Sequence, residues 1–273
     1  MTRMRLAQSL IAILKANGVN DVWGFTNGSF MDEHPEEIAI YKTWLMAGYP
    51  LGNHTYDHPN LNQVTVRAYI ANIAKQDRLL ATLSGFSPLI KERRAFRYPY
   101  LDEGDTLERR NAIRAYLAKN HYRIAEVTAD YYDWAWTDAY TRCLARHDDK
   151  SMEWLKGHVV ESADRHLRSA NAISELLFNR RIPQILLIHD GSFDVLTLDA
   201  IVKQWRKEGV QFISLDEALA DPAYQINPNF AYTDGRNFLE QVADSRGVDV
   251  GALDDSIYTI ERLNDVCKAT PSK

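Results

Sequence analysis

Between Val22 and Leu219, short apolar runs alternate with stretches of helical periodicity, and this alternation restricts the fold more than any other feature. "VWGF" at 22–25, "RRAFRYPY" at 93–100, "YRIAEV" at 122–127, "QILLIH" at 184–189 and "VQFISL" at 210–215 read as strands. Helices are expected between them, over 35–47, 63–83 and 105–120, with another through Leu198, Ile201, Val202 and Trp205 that stops at Gly209. Pro35, Glu36 and Glu37 suit a helix start, where proline and acids are favoured. Asp105 with Glu108 has the spacing of a capping box. "QILLIH" shows no polar alternation, so it is expected to be buried on both faces. Strands that alternate with helices imply parallel βαβ units, hence an α/β sheet or barrel.

The chain opens with a helix instead of a strand. Leu6, Leu10, Ile13 and Leu14 share one helical face, and Asn17-Gly18 gives a stop signal. Gln8, Ser9, Lys15 and Asn17 interrupt the apolar stretch and no small-residue cleavage site follows, so no signal peptide is expected here. The expected organisation is one α/β domain over 1–221 with a charged helical insertion at 138–180. An extension over 222–273 is expected to pack on it. A net charge of −5 leaves no footprint for nucleic acid. No run approaches the roughly 18 apolar residues of a membrane span. Cys143 and Cys267 match no zinc or redox spacing and are expected to be idle thiols, with a disulfide left open.

Four stretches could carry chemistry. "LGNHTYDHPN" at 51–60 places His54 and His58 four residues apart, a spacing that puts two imidazoles on one face of a helical turn. They read either as neighbouring histidines or as a metal pair. Gly48, Gly52 and Asn53 mark a turn before them, which suggests a loop-to-helix junction. Zinc, cobalt and manganese all accept imidazole. In "FRYPYL", Arg97 ends a strand ahead of Pro99 and Tyr100, as a surface turn or as a carboxylate-binding site with a backbone N–H for an oxyanion. "DYYDWAW" at 130–136 is either core or a sugar site, since buried aspartates need partners while aromatic faces stack on sugar rings. "LLIHDGS" places His189 at the carboxyl end of a strand, the edge where parallel α/β folds put their active sites.

In order, the HTxxHP, RYPY, DxxDW and LxH stretches resemble motifs two to five of the polysaccharide deacetylase family, the family-four carbohydrate esterases with a NodB-homology domain. "GFTNGSF" resembles the strand before motif two, and "GYPLGNHTYDHPNL" resembles that motif's region. The resemblance spans about 6–220 and implies an irregular (β/α) barrel of parallel strands. It implies metal ligation by His54 and His58 and a general-acid role for His189, tuned by Asp133. Arg97 would orient the catalytic base, and the Tyr100 N–H would serve the oxyanion. Trp134, Pro99 and Leu187 would contact substrate. The implied cofactor is a divalent metal, zinc with cobalt or manganese as alternatives. The implied substrate is an N-acetylated polysaccharide or oligosaccharide such as peptidoglycan or a chitin-like chain, with a periplasmic or secreted location for a full-length form. O-acetyl xylan esterase activity and non-catalytic carbohydrate binding are the alternatives.

The family's first motif, an Asp-Asp pair that ends the first strand, has no counterpart before the first helix. It would supply the base and a third metal ligand, so the expectation is a shortened deacetylase with little turnover as given. Asp254-Asp255 is the candidate substitute, although "DDSIYTIERL" reads as a capped helix start.

Overall fold

A computed structural model describes residues 1–268. In chain order its elements are α1 (Arg3–Ala16), β1 (Gly24–Thr26), α2 (Ile38–Met46), β2 (Leu51–Asn53), α3 (Val66–Thr82), α4 (Leu89–Glu92), β3 (Ala95–Phe96), α5 (Leu107–Lys119) and β4 (Arg123–Ile124). They continue with β5 (Ala129–Asp130), α6 (Asp133–Ala145), α7 (Asp149–Phe178), β6 (Leu186–Leu187), α8 (Asp194–Lys207), α9 (Leu215–Leu219), α10 (Phe238–Ser245) and α11 (Ile260–Asp265). These elements form two compact units. A sheet unit contains 20–127 and 213–249, and a helical unit contains 1–19, 128–212 and 250–268.

In the sheet unit, β1, β2, β3 and β4 pair in that order, all parallel. Phe96 of β3 is fully buried among Tyr69 and Ile73 of α3 and Ile113 and Leu117 of α5. The helix ends follow local hydrogen bonding. Thr65 accepts from the Ala68 N–H at 3.1 Å and starts α3. Thr106 accepts from the Arg109 N–H at 3.2 Å and starts α5. The expected Asp105–Glu108 box does not form, because the hydroxyl one residue later takes the cap. Segment 222–249 belongs to this unit, and its α10 opens with a capping box between Asn237 and Glu240.

The helical unit pairs β5 with β6 in parallel. Its core gathers Trp136 and Ala139 of α6, Leu155, Val159 and Ala163 of α7, Ile201 and Trp205 of α8 and Leu263 of α11. The charged stretch at 138–180 folds as most of α6 and all of α7, and its apolar residues at 155, 159 and 163 recur every helical turn to face that core. No helix among the described residues is long and apolar enough to cross a membrane.

Several expectations are corrected. "VQFISL" forms no strand. Val210 and Phe212 pack as partly buried residues on the helical core, so side-chain burial accounts for the apolar run without a ladder. "QILLIH" contributes only Leu186–Leu187, both half-buried. Leu51–Asn53, read as a turn, is the strand β2. β1 and β6 each have one ladder partner among the described residues. Thr259, not an aspartate, caps α11, and Asp255 pairs with Arg165 at 2.8 Å.

Cys143 and Cys267 form a disulfide, with Cα atoms 5.2 Å apart across 124 residues. Sequence distance hid this proximity, which arises because α11 packs on α6. Arg142 of α6 donates to the Leu263 and Val266 carbonyls at 2.7 and 3.2 Å and seats that segment. Replacing Cys267 by Ser should cost about 2–4 kcal/mol in urea unfolding. An unchanged unfolding midpoint would show that the crosslink contributes nothing to the folded state.

Candidate active site

In the sheet unit, parallel register gathers the first group. Asn53 pairs with Thr26 on one side and Phe96 on the other, so His54 and Arg97 leave the sheet side by side. The His54 N–H donates to the Thr26 carbonyl at 3.2 Å, and the Arg97 N–H to the Asn53 carbonyl at 3.1 Å. Beyond His54 the chain is a loop, not the helical turn expected. Thr55 and His58 have φ of +64° and +54°. That region is sparsely used by non-glycine residues and is a marked departure for a β-branched one.

Three asparagines hold the loop. Asn53 Oδ1 accepts from the Thr55 N–H at 2.9 Å. Asn27 Nδ2 donates to the His54 and Thr55 carbonyls at 2.6 and 3.0 Å. Asn72 Oδ1 accepts from the Tyr56 and Asp57 N–H groups at 2.6 and 2.8 Å. Sequence reading missed these residues as site-builders, although Asn53 stands directly before His54.

The loop brings the two Nε2 atoms to 3.1 Å. His54 Nδ1 lies 2.7 Å from the Arg97 carbonyl, an acceptor that fixes the proton on Nδ1 and leaves the Nε2 lone pair for a ligand. A 3.1 Å separation suits two nitrogens each about 2.0–2.1 Å from one zinc-like ion, so the pair fits two positions of such a site. It equally suits an N–H···N hydrogen bond. No cluster of three or more His, Cys, Asp or Glu side chains suited to an ion is found among the described residues.

Arg97 is buried, with Nε donating to the Ala125 carbonyl at 3.2 Å and its guanidinium 4.5 Å from the Phe25 ring centre. Pro99 is buried. Tyr100 adopts φ +58° and presents a ring that is 59% exposed, packed edge-on against His58 at 4.6 Å. The hydrogen bonds of this 3-10 turn begin with Leu101 N–H to Tyr98 O and Asp102 N–H to Pro99 O, so the turn itself does not take up the Tyr100 N–H. The extension braces the turn. A Cβ on Gly235 would sit 1.8 Å from the Tyr100 carbonyl oxygen, and the Arg236 N–H donates to the Leu101 carbonyl at 3.3 Å. Only the glycine in "TDGRN" could have signalled this contact.

The second group lies in the helical unit. Asp130 pairs with Leu187, so residues shortly after each emerge at the same edge of the β5–β6 pair. Asp130 Oδ1 accepts from the Tyr132 N–H at 2.7 Å, and Tyr132, at φ +57°, turns the chain into α6. Asp133 thus enters the first helical turn, where the helix dipole favours a carboxylate. It is fully buried. One of its oxygens meets His189 Nδ1 at 2.8 Å and the other accepts the His189 backbone N–H.

The His189 side chain is 48% exposed. Burial pulls its pKa down, but the hydrogen bond and charge of Asp133 outweigh burial and hold it above the ordinary imidazole value. An imidazole anchored at Nδ1 can give a proton from Nε2 to a ligand. Trp134 follows Asp133 and is 38% exposed, and Leu187 is half-buried on β6. Sequence reading also missed Asp194, whose carboxyl is buried nearby. Burial, and then the charge of Asp133, push it up to about 8 against the influence of His189. His54, His58, Arg97, Pro99 and Tyr100 therefore gather in one unit, and Asp133, Trp134, Leu187 and His189 in the other.

The sequence profile of the polysaccharide deacetylase family matches residues 4–125. A peptidoglycan-N-acetylglucosamine deacetylase of Bacillus cereus is 33% identical over 186 residues, covering 68% of this chain and 54% of that protein. The chain thus spans about half the length of this curated relative. A CE4 family pseudoenzyme from Bacillus anthracis shares the fold with a TM-score of 0.55 at 16% identity, covering 81% of this chain and 62% of its own. A family 4 carbohydrate esterase from Streptomyces lividans, in complex with acetate, does so with a TM-score of 0.51 at 19% identity, covering 78% and 88%. At these identities the structural likeness is one of fold.

Two outcomes follow from the geometry. Asp133→Asn should lower the His189 pKa toward the ordinary value of about 6.5, read from imidazole proton shifts in an NMR titration. In the native chain the raised value adds stability that is full below pH ~6.5 and is lost as pH rises through the folded-state pKa. A His189 titration that ignores Asp133→Asn would disprove the pairing. Gly235→Ala should cost about 1–3 kcal/mol in chemical unfolding, because the new methyl meets a backbone oxygen that cannot swing aside.

Proposed function

Because the chain carries a domain of the polysaccharide deacetylase family, we propose that it hydrolyses N-acetyl groups of glycans built on N-acetylglucosamine, such as peptidoglycan or chitin-like chains, using a divalent metal. The observation that supports the reading most is the His54–His58 pair, with Nε2 atoms 3.1 Å apart and one tautomer fixed by the Arg97 carbonyl. His54 and His58 hold the ion, zinc in the first instance and cobalt or manganese otherwise. When bound, such an ion supplies Lewis acidity toward the acetamide carbonyl.

The other roles belong to the chain. The Tyr100 N–H donates to the oxygen that gains charge as a water molecule adds to the carbonyl carbon and releases its proton to solvent. His189, protonated and held so by Asp133, gives its Nε2 proton to the departing amine. Trp134 offers an exposed aromatic face to a sugar ring, with Leu187 an apolar contact in the same unit and Pro99 one in the sheet unit. Arg97 holds the strand end that presents its own carbonyl to His54. Action outside the cell, on the wall polymer, accompanies this reading.

A second reading, glycan binding without turnover, draws on one observation: among the described residues no third side chain of metal-binding type joins the histidine pair. The two readings separate in one assay. Chitin oligosaccharides, peptidoglycan and acetylated xylan are incubated with zinc, cobalt or manganese, and acetate is measured. Slow, metal-dependent release from the N-acetylated substrates is expected, abolished by chelator, with His189→Ala reducing it about 10²–10⁴-fold. Calorimetry should show zinc binding that His54→Ala and His58→Ala both remove. Glycan binding without acetate supports the second reading. Release from xylan alone would make the protein an O-acetyl esterase, and the absence of both binding and release would sink the proposal.

A further inference from the structure

Asp194 is the first residue of α8 and is 1% exposed, yet none of the roles above uses it. Its surroundings all belong to the helical unit. The Tyr131 hydroxyl donates to one oxygen at 3.4 Å, the Thr137 hydroxyl lies 3.4 Å from the other, and the Gly191 N–H is a further donor. Thr137 stands one helical turn after Asp133, so α6 presents both side chains on one face. Asp133 takes the ring and N–H of His189, while Thr137 takes Asp194, five residues further along the same loop. Gly191 lies between them, and any Cβ there would be 2.4 Å from both Asp194 Oδ2 and Thr137 Oγ1. The loop is thus fastened to α6 at two points, with a glycine where the fit is closest.

We propose that Asp194 is a positioning residue for His189: through Thr137, Tyr131 and the Gly191 N–H it clamps the loop that carries His189 against the helix that carries Asp133. It does so as the neutral acid, whose own O–H turns to the Thr137 hydroxyl, an oxygen that can accept as well as donate. Two buried carboxylates beside one imidazole do not both ionise readily in a low-dielectric site, and Asp133, which bonds His189 directly, is the one that stays anionic. The groups facing this cluster are Asp130 of β5, Tyr131 just after it, Asp133 at the start of α6, and His189 and Asp190 in the loop, with Arg3 of α1 acting on Asp190. Acids outnumber bases there, so the charge of Asp133 adds to burial, the larger cause, in pushing Asp194 up to about 8. A second anion at Asp194 would compete with Asp133 for the imidazolium and weaken the fixed Nδ1 contact.

The significance of the clamp rests on His189 being the acid of the proposed reaction, but its test needs no turnover. In the full chain, His189 is titrated by NMR in native protein, Asp194→Asn and Asp194→Ala. Asparagine keeps the shape and neutrality of the acid, so the raised His189 pKa should be retained. Alanine removes both acceptors, so the pKa should fall toward that of an ordinary imidazole.

Unfolding equilibria between pH 4 and 9 give an independent readout. The folded state keeps a proton that the unfolded chain releases near pH ~3.9, so the contribution of Asp194 to native stability should fall as pH rises from ~4 to about 8 and then level off. Asp194→Asn lacks this contribution and keeps those of the other groups. The ratio of the two unfolding constants should therefore change by up to ~10-fold per pH unit inside that window and stay flat above it. Parallel pH profiles would overturn the neutral-acid assignment, and a native-like His189 titration in Asp194→Ala would overturn the clamp. If no variant releases acetate while these titrations behave as described, the proposed function fails and the clamp stands.

Discussion

Parallel pairing sets Asn53 opposite both Thr26 and Phe96, and Asp130 opposite Leu187. Parallel strands point their carboxyl ends the same way, so the residues just beyond them emerge together. His54 meets the Arg97 carbonyl for this reason, and His189 meets Asp133. A shift of one residue in either pairing would turn the following side chain to the opposite face and separate the groups that this pairing brings together. The strands need only two or three residues each to impose this, because α3, α5, α6, α7 and α8 carry most of the burial.

Short strands leave much of the positioning to side chains. Thr55, His58, Tyr100 and Tyr132 all have positive φ, and each lies in or directly beside a residue given a chemical role. Such conformations cost about 1–3 kcal/mol apiece and persist only where surrounding contacts over-determine them. Here the contacts are specific: Asn27, Asn53 and Asn72 around Thr55 and His58, Asp130 behind Tyr132, and Gly235 against the Tyr100 carbonyl. Segment 222–249 thereby contributes to the site without supplying a reacting group.

Buried charge follows the same economy of partners. Below the Arg97 turn, Glu103 is buried between Arg110 at 3.2 Å and Arg114 at 2.6 Å, and Gln241 of α10 donates to its other oxygen. Arg114 also reaches Glu126, whose carboxyl burial pushes up to about 8, with the Glu103 charge adding to the effect. Removing one member of such a cluster leaves its partner's charge buried and uncompensated, which is far more damaging than losing an exposed pair. The network ties α5 and α10 to the end of β4, and so to the turn that carries Tyr100.

Much of this was legible in the sequence. The helix-strand alternation pointed to a parallel α/β fold, and α1, α3, α5 and α8 fall where apolar periodicity and stop signals placed them, because helical burial repeats within a single stretch of chain. The nine residues assigned chemical roles stood out as four short ordered motifs. What stayed hidden depends on partners distant in sequence. "VQFISL" carries a strand's apolar pattern but finds no ladder, whereas Leu51–Asn53 looks like a turn and is paired on both sides. Cys143 needed α11 packed on α6 to meet Cys267. His54 and His58 converge through three asparagine clamps, not through helical spacing, and Asp194 holds its proton only because folding buries it beside Asp133. The sequence by itself determined residue types, periodicities and order, since these act locally. Tertiary structure alone decided register, left-handed loops and proton positions, because each is set by groups that only folding brings within a few ångströms.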